Sequence, residues 1–328
     1  LSRFILIIGV ILSFRYDWGL QGMVISTSAA SLASFLLHFY FARHFANIRP
    51  RFEMFWWKKI TALSWPIAIT ISFNLIYLRA DTLILSLIKT SEEVGLYGAA
   101  YKIIDVLSSL PFMFAGIILP LLAVAWQQQN HKNFHKILQK SFDYLAIAAI
   151  PLVIGTQFLA DEIIILVAGQ DFEEAGTILR VLIWAVAAIF LGNMMSHAVI
   201  AIGEQKKVIK LYIFTGISSL IAYIFLIPRF SYFGAAAVTI YSETLIALLS
   251  GIFICRRLNF KLNLIGLSKA IGASLPMGLM LRLWPHKIIT SSLGLGLTIL
   301  IAGLIYFIFL WLLKAFTNQD LKLILNKK

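Results

Sequence analysis

Long apolar runs follow one another along this chain with little between them. Apart from the first, these runs come close to or exceed the roughly 20 residues that a helix needs to cross a bilayer. They cover 4–14 (a partial span), 20–42, 60–88, 94–124, 142–168, 175–202, 209–228, 234–255, 267–284 and 292–314. The runs are apolar on every face and do not alternate, which favours helices over the strands of a membrane barrel. The sequence therefore predicts an all-α polytopic membrane protein, a helical bundle of about ten spans, one of them partial.

The composition excludes the common soluble classes. Hydrophobic residues make up 60% and charged residues 13% of the 328 residues, and the mean hydropathy is +0.88. A net charge of +13 would suggest a nucleic-acid partner in a soluble protein. In a polytopic membrane protein such an excess gathers in cytoplasmic loops, so no nucleic-acid partner is expected. The single cysteine, Cys255, and the lack of a Cys/His cluster predict no disulfide, no metal and no cofactor.

The basic residues also predict an orientation. Twenty of the 28 Lys and Arg residues fall on the same side of the predicted spans. They lie around position 3 and in 43–59, 132–140, 206–210, 256–269 and 314–328. Because cytoplasmic loops carry the excess of Lys and Arg, this side and the C-terminus are expected in the cytoplasm. A bacterial inner membrane is the expected location.

A weak internal repeat suggests how the spans are grouped. A span, a short loop, a small-residue helix start at Gly22 and an end at Arg43 recur as a span, a loop, Gly234 and Arg256. Both copies enter the membrane in the same direction, as in a parallel duplication. We therefore interpret 1–42 as the last two spans of a truncated N-lobe, so that a two-lobe exporter architecture has its first lobe mostly missing. The other predicted parts are a six-span C-lobe at 60–255, two additional spans within 267–314 and a cytoplasmic tail at 315–328.

The cytoplasmic connector at 43–59 interleaves aromatic and basic residues. Its aromatic members are Phe52, Phe55, Trp56 and Trp57. One interpretation is a patch that recognises an anionic lipid headgroup. The other, which we favour, is an ordinary interfacial connector with an aromatic belt and positive-inside charge. No loop is long enough to hold a catalytic domain, and the membrane lipids are expected partners.

Polar residues within the spans are the candidate functional residues, because charge inside a bilayer is costly. The substrate-binding candidates are Arg79, Lys102 and Asn74, and the candidates for ion coupling or for a structural charge are Asp81, Asp105 and Glu243. Glu243, near the middle of its span, is either a protonated carboxyl bonded to a neighbouring helix or a site for H⁺ or Na⁺. For His197 an interfacial position is favoured over a proton relay. Arg180 and Arg282 lie near span ends, where their side chains can reach the interface.

A predicted helical hairpin between 60–88 and 94–124 pairs some of these charges. Residues equally far from its turn at Ser91 lie at equal depth, which places Asp81 opposite Lys102 and Arg79 near Asp105. Two interpretations follow. Either these charges line a water-filled cavity that binds an anionic substrate group, or Asp81 and Lys102 form a buried structural ion pair. For Arg79 the substrate-binding interpretation is favoured.

The same hairpin carries a family resemblance. The stretch Leu78–Ser86, followed by Glu93–Lys102 with its segment Val-Gly-Leu-Tyr-Gly-Ala-Ala-Tyr, resembles the polysaccharide (oligosaccharide) flippase family of the multidrug/oligosaccharidyl-lipid/polysaccharide exporter superfamily. Further points of similarity are Pro111, Leu119-Pro120-Leu121, Gly169, Pro228 and Gly234-Ala235-Ala236. The resemblance implies two lobes around a cationic cavity, and movement of undecaprenyl-pyrophosphate-linked oligosaccharide to the outer leaflet by alternating access. It also implies partners among other polysaccharide-assembly proteins and a coupling ion, H⁺ or Na⁺.

Two rival functions are open at this point. A membrane glycosyltransferase or polymerase would need catalytic residues on a long loop, and the loops here are short, so an enzyme is not expected. A cation-coupled multidrug antiporter of the same superfamily should have a net acidic cavity. The charged residues within the predicted spans are of both signs and do not decide between drug and oligosaccharide export. The motif resemblance favours the oligosaccharide.

Overall fold

The computed structural model describes residues 2–45, 53–285, 289 and 291–315. Its regular elements are all helical: α1 Ser2–Arg15, α2 Gly19–Phe45, α3 Met54–Ile88, α4 Ser91–Gln127, α5 His131–Ala168, a 3₁₀ turn Gln170–Phe172, α6 Ala175–Ala201, α7 Gln205–Leu258, α8 Ile265–Leu283 and α9 Ser292–Leu312. The chain divides into two compact units, residues 1–63 and 64–328. The predicted all-α class is confirmed. The predicted tail at 315–328 and part of the 43–59 connector lie outside the described residues.

Helix α7 is a hairpin of two antiparallel arms. Its backbone is non-helical at Ser231, which has φ 50° and ψ −132°. Side chains on either side of this turn meet in antiparallel register, since the hydroxyls of Tyr223 and Thr239 lie 3.3 Å apart and that of Tyr241 donates to Ser218 at 3.2 Å. At Gly234 a Cβ would come within 2.5 Å of the Leu226 carbonyl oxygen, so the turn needs a glycine there. The loop predicted at this point, between the runs 209–228 and 234–255, agrees with these contacts.

The first unit contains a second hairpin, formed by α1 and α2. A Cβ added at Gly9 would lie 2.6 Å from Ser26 Cβ, and one at Gly22 would lie 2.7 Å from Ser13 Oγ. The two serine hydroxyls are 3.2 Å apart and each also donates to a backbone carbonyl four residues earlier. Small residues thus let the two helices approach closely, as is common between membrane helices.

Helix α6 is the centre of the second unit. Of its most apolar stretch 67% is buried, against 33% or less in the other apolar helices. It packs against α4, α5 and α7, and large side chains such as Leu179 and Phe190 are fully buried there. A helix that is apolar on every side belongs in the interior of a bundle, which is why α6 can serve as the core around which the site is assembled.

Helices α8 and α9 pack on α5 around a second apolar cluster. A hydrogen bond of 2.8 Å from the Tyr306 hydroxyl to the backbone carbonyl of Ile147 joins α9 to α5. Pro151, four residues further along α5, has no N–H to offer that carbonyl. Tyr306 therefore satisfies a buried acceptor that the proline leaves open, which the low polarity of the surroundings makes necessary.

Six helices within the described residues carry an apolar stretch long enough to cross a membrane: 21–45, α4, α5, α6, α7 and α9. Because α7 folds back on itself, it supplies two passes. Large apolar side chains on the outside, such as Leu293 and Trp311 on α9, are exposed in the protein alone and match a surface that faces lipid. The helices over the runs 60–88 and 267–284 are not among the six, so their assignment as spans stays a prediction.

Candidate substrate cavity

One cavity gathers four of the polar residues singled out from the sequence, namely Arg79, Asp105, His197 and Glu243. It has a volume of about 280 Å³ and is bounded by α3, α4, α6 and both arms of α7. Its polar lining consists of Arg79, Tyr101, Asp105, Ser108, Ser109, Asn193, Ser196, His197, Tyr212, Thr239 and Glu243. The apolar part of the wall includes Ile104, Phe112, Ile189 and Ile246. A mostly apolar pocket with a few convergent polar groups is the usual form of a ligand site.

An ion pair stands at the mouth of this cavity. The Arg79 guanidinium donates from one nitrogen to both carboxylate oxygens of Asp105, each at 3.1 Å. The two side chains are 57% and 42% exposed, so the pair is open to whatever fills the space in front of it. The guanidinium carbon also lies 5.4 Å from the centre of the Tyr101 ring, close enough for a cation–π contact. Arg79 is therefore held over the mouth of the cavity, and only one of its three guanidinium nitrogens donates to Asp105.

Asp81 is held differently, by hydroxyl groups away from the cavity. Its carboxylate is fully buried and accepts from the Tyr97 hydroxyl at 2.7 Å and from the Thr82 backbone N–H at 2.6 Å. The Thr82 and Thr239 hydroxyls lie 3.2 and 3.4 Å from it, and the Tyr223 hydroxyl in turn contacts Thr239. These bonds tie α3 to α4 and to both arms of α7.

Of the two interpretations of the hairpin charges, the ion pair between Asp81 and Lys102 is wrong, because the Asp81 carboxylate accepts from Tyr97 and Thr82 instead. Counting residues from the turn gave the right depth for Arg79, which contacts Asp105. Equal depth, however, does not determine which way a side chain faces around the helix axis. Lys102 follows Tyr101, which faces the bundle, by about 100° of helix turn and is exposed. Asp105, which the hairpin count placed near Arg79, is its partner.

The floor of the cavity holds two buried polar side chains, Glu243 on α7 and Asn193 on α6. Each is 6% exposed. Neither polar atom of the Asn193 side chain has a hydrogen-bond partner within the described residues, and neither has Glu243 Oε1. His197, one turn beyond Asn193, bonds through Nδ1 to the Asn193 backbone oxygen at 2.9 Å. It lies on the cavity wall, whereas an interfacial position was favoured from the sequence.

Other predicted residues lie elsewhere. Asn74 lies on α3, but its side chain is outside the described residues. Arg180, which was expected to reach the interface, donates to Asp161 at 2.6 Å and so joins α5 to α6. Sequence reasoning missed the aromatic and hydroxyl members of the site, Tyr101, Ser108 and Phe112 among them. Their recurrence at seven- and four-residue spacing along α4 marks one helix face and could have revealed them.

A cluster of charges joins the two ends of the α7 hairpin. Glu204, in the turn before α7, accepts from Arg257 near the other end of α7 at 2.9 Å and pairs with Lys207 at 2.5 Å. These two cations, Lys207 first, hold the pKa of Glu204 below its ordinary value. Within the described residues, no three His, Cys, Asp or Glu side chains are grouped so that they could hold a metal ion.

Comparison with known proteins then decides the family. The model of the family described as "Polysaccharide biosynthesis protein" matches residues 2–177, more than half of the chain. The chain belongs to this family. It is a multi-pass membrane protein of polysaccharide biosynthesis, and the exporter resemblance drawn from the α3–α4 hairpin is confirmed.

Individual proteins extend the comparison. The capsular polysaccharide biosynthesis protein CapF of Staphylococcus aureus is 20% identical over 251 residues, 76% of this chain and 63% of the relative. The probable flippase AglR of Haloferax volcanii is 23% identical over 178 residues, 53% of this chain and 37% of the relative. The chain thus spans less than two thirds of both relatives.

A solved structure shares the fold. The lipid II flippase MurJ in its inward closed conformation matches with a TM-score of 0.77 at 19% identity, over 95% of this chain and 66% of that one. The helical bundle described above therefore shares the fold of that flippase.

Proposed function

We propose that this protein moves undecaprenyl-pyrophosphate-linked oligosaccharide across the bacterial inner membrane by alternating access, for surface polysaccharide biosynthesis. Family membership, a flippase-type fold and a polar cavity bounded by four helices support the proposal. The positive-inside pattern supports a cytoplasmic C-terminus. Other polysaccharide-assembly proteins and a coupling cation, H⁺ or Na⁺, belong to the same proposal.

The observation that carries this proposal is the position of Arg79. A diphosphate carries several negative charges that must stay paired while it crosses the membrane. A guanidinium binds phosphate oxygens through charge-assisted, often bidentate hydrogen bonds. Arg79 stands at an open mouth and gives only one of its nitrogens to Asp105. An arriving diphosphate can therefore bind the remaining donors or displace Asp105 altogether.

Asp105 completes this role at the mouth. Lys102, one of the substrate-binding candidates from the sequence, is exposed and is not among the residues that line the cavity. Any contribution of its positive charge to substrate binding would come from outside the cavity. In the absence of substrate Asp105 neutralises Arg79, and after binding it is free to take up the coupling cation. Asp81, whose bonds are already made within the bundle, has a structural role.

The test is replacement of Arg79 in the protein in its natural host. We expect Arg79→Ala to reduce surface polysaccharide by at least about tenfold, because charge-assisted hydrogen bonds of about 1.5–3 kcal/mol are lost. Arg79→Lys should be partly active, since it keeps the charge but not the planar donors. Complementation of a deletion strain measures polysaccharide, and immunoblots of membrane fractions measure the protein.

The matched control is Arg229→Ala, which removes an exposed arginine at the turn of α7 and should leave export unchanged. Normal polysaccharide from Arg79→Ala would remove Arg79 from the substrate path. Loss of that variant from the membrane would make its role structural. Cation-dependent export of a lipophilic drug with no effect on polysaccharide would instead favour the multidrug antiporter.

A further inference from the structure

The floor of the cavity contains more hydrogen-bonding capacity than the protein uses. The Asn193 amide oxygen and nitrogen, Glu243 Oε1 and the Ser108 hydroxyl are buried and have no hydrogen-bond partner within the described residues. All three residues line the same cavity. Leaving a buried polar group unpaired destabilises a protein, so several such groups at one place indicate a site that a polar ligand or ordered solvent completes.

The chemistry of this floor is that of a neutral, polyhydroxylated ligand. An amide offers donors and acceptors together, and a sugar hydroxyl both donates and accepts. The rings of Tyr101, Phe112 and Tyr212 supply flat apolar walls beside these polar atoms, which suits the apolar faces of a pyranose. The volume of about 280 Å³ greatly exceeds the roughly 10–15 Å³ that one water molecule needs.

A bare cation suits this floor less well. The Asn193 amide nitrogen can only donate, so it cannot ligate a cation. Within the described residues no group of three acidic, His or Cys side chains is placed to bind a metal ion. The carboxylate best placed for a cation, that of Asp105, lies at the mouth and not at the floor.

We propose that Asn193 and Glu243 form a subsite for the sugar ring attached directly to the diphosphate, and that they determine which sugar the transporter accepts. This proposal rests on the proposed function, because Arg79 at the mouth of the same cavity would hold the diphosphate. Asn193 donates to one sugar hydroxyl and accepts from another, while Glu243 bonds to a further hydroxyl. The rings of Tyr101 and Tyr212 limit the shape of the sugar.

The experiment measures binding of four lipids to the purified protein in nanodiscs. The probes are undecaprenyl diphosphate without sugar, the same lipid with one hexose, the same lipid with one N-acetylhexosamine, and the lipid-linked oligosaccharide extracted from the natural host. We expect Asn193→Leu and Glu243→Gln to weaken binding of the host oligosaccharide lipid by roughly tenfold for each hydrogen bond lost. The affinity of both variants for the sugar-free lipid should stay unchanged. The ratio of their affinities for the two single-sugar lipids should move closer to one.

Two controls keep the outcome interpretable. Thr298→Val removes a buried hydroxyl on α9, away from the cavity, and should affect no lipid. Asn193→Asp keeps the shape of the side chain and replaces Asn193→Leu if that variant does not fold. Arg79→Ala should weaken all four lipids alike, and its failure to do so would count against the diphosphate site without touching the sugar subsite.

Three results would overturn the subsite. Equal weakening of the sugar-free and sugar-bearing lipids would show that the floor binds no sugar. Unchanged binding of every lipid would show the same. If Glu243→Gln abolished transport while sugar binding was normal, Glu243 would serve the coupling cation and not the sugar.

Discussion

Among the described residues two carboxyl groups are buried within helices, Asp81 on α3 and Glu243 on α7, and they differ in their hydrogen bonds. Asp81 is tied by the Tyr97 hydroxyl and the Thr82 backbone N–H. Glu243, one turn beyond Thr239 on α7, faces the cavity with an oxygen that has no partner among the described residues. Burial alone therefore does not mark a functional group. The difference lies in whether the neighbouring helices have already used its hydrogen-bonding capacity.

The largest difference in stability is expected between two matched neutral replacements, Asp81→Asn and Glu243→Gln. Asp81→Asn keeps the size but presents an NH₂ group to hydroxyl and N–H donors, so it should lower the free energy of unfolding by about 2–3 kcal/mol. Glu243→Gln should lower it by less than about 1 kcal/mol, because no protein bond is lost. Denaturant unfolding of the detergent-solubilised protein measures both. Equal losses in the two variants would end the distinction.

A smaller loss of stability is expected at the Ile147 carbonyl, which accepts a hydrogen bond from Tyr306. Tyr306→Phe leaves this carbonyl without a donor and should cost about 1.5 kcal/mol of unfolding free energy. Pro151→Ala restores a backbone N–H that can reach the same carbonyl. In the Pro151→Ala background Tyr306→Phe should therefore cost clearly less. Additive effects in this double-mutant cycle would argue that Tyr306 acts through packing alone.

The smallest effect is expected where a carboxylate lies outside the membrane helices. Glu204→Gln should cost less than about 1 kcal/mol, since its partners Lys207 and Arg257 are largely exposed and solvent screens the pairs. The pKa of Glu204 is lowered in the folded protein. Its stabilisation is therefore complete above the unfolded pKa of about 4.3 and is lost as the pH falls through the lower, folded value.

Unfolding curves of the wild type and of Glu204→Gln, taken from neutral to acidic pH, check this. The two curves should converge at the acidic end. A difference that grows toward low pH would have the wrong sign and would contradict the assignment.

Much of the fold could be read from the sequence because lipid imposes simple rules on it. The apolar runs predicted the helices, and the short break near Ser231 predicted the loop at which α7 folds back on itself. The level at which Arg79 meets Asp105 followed from counting residues from the α3–α4 turn. The facing direction of Lys102 did not follow, because rotation about the helix axis depends on packing against α6 and α7.

The floor of the cavity was harder to foresee. Asn193 and Glu243 are 50 residues apart and meet only because α6 and the second arm of α7 pack together. Glu243 was recognised as unusual because a carboxyl in a span is costly. Nothing in the sequence, however, showed that Asn193 would lie beside the same cavity or that the two would remain unpaired.

We propose that Arg79 holds the diphosphate of a lipid-linked oligosaccharide while it crosses the membrane. The most direct test of this proposal is the leaflet in which that lipid resides. Spheroplasts of a strain that lacks the transporter are complemented with wild type or Arg79→Ala, and a membrane-impermeant oxidant labels the glycan at the outer face. Wild type should make the glycan accessible, and Arg79→Ala, at equal protein level, should leave it protected. Equal labelling in the two strains would contradict the account.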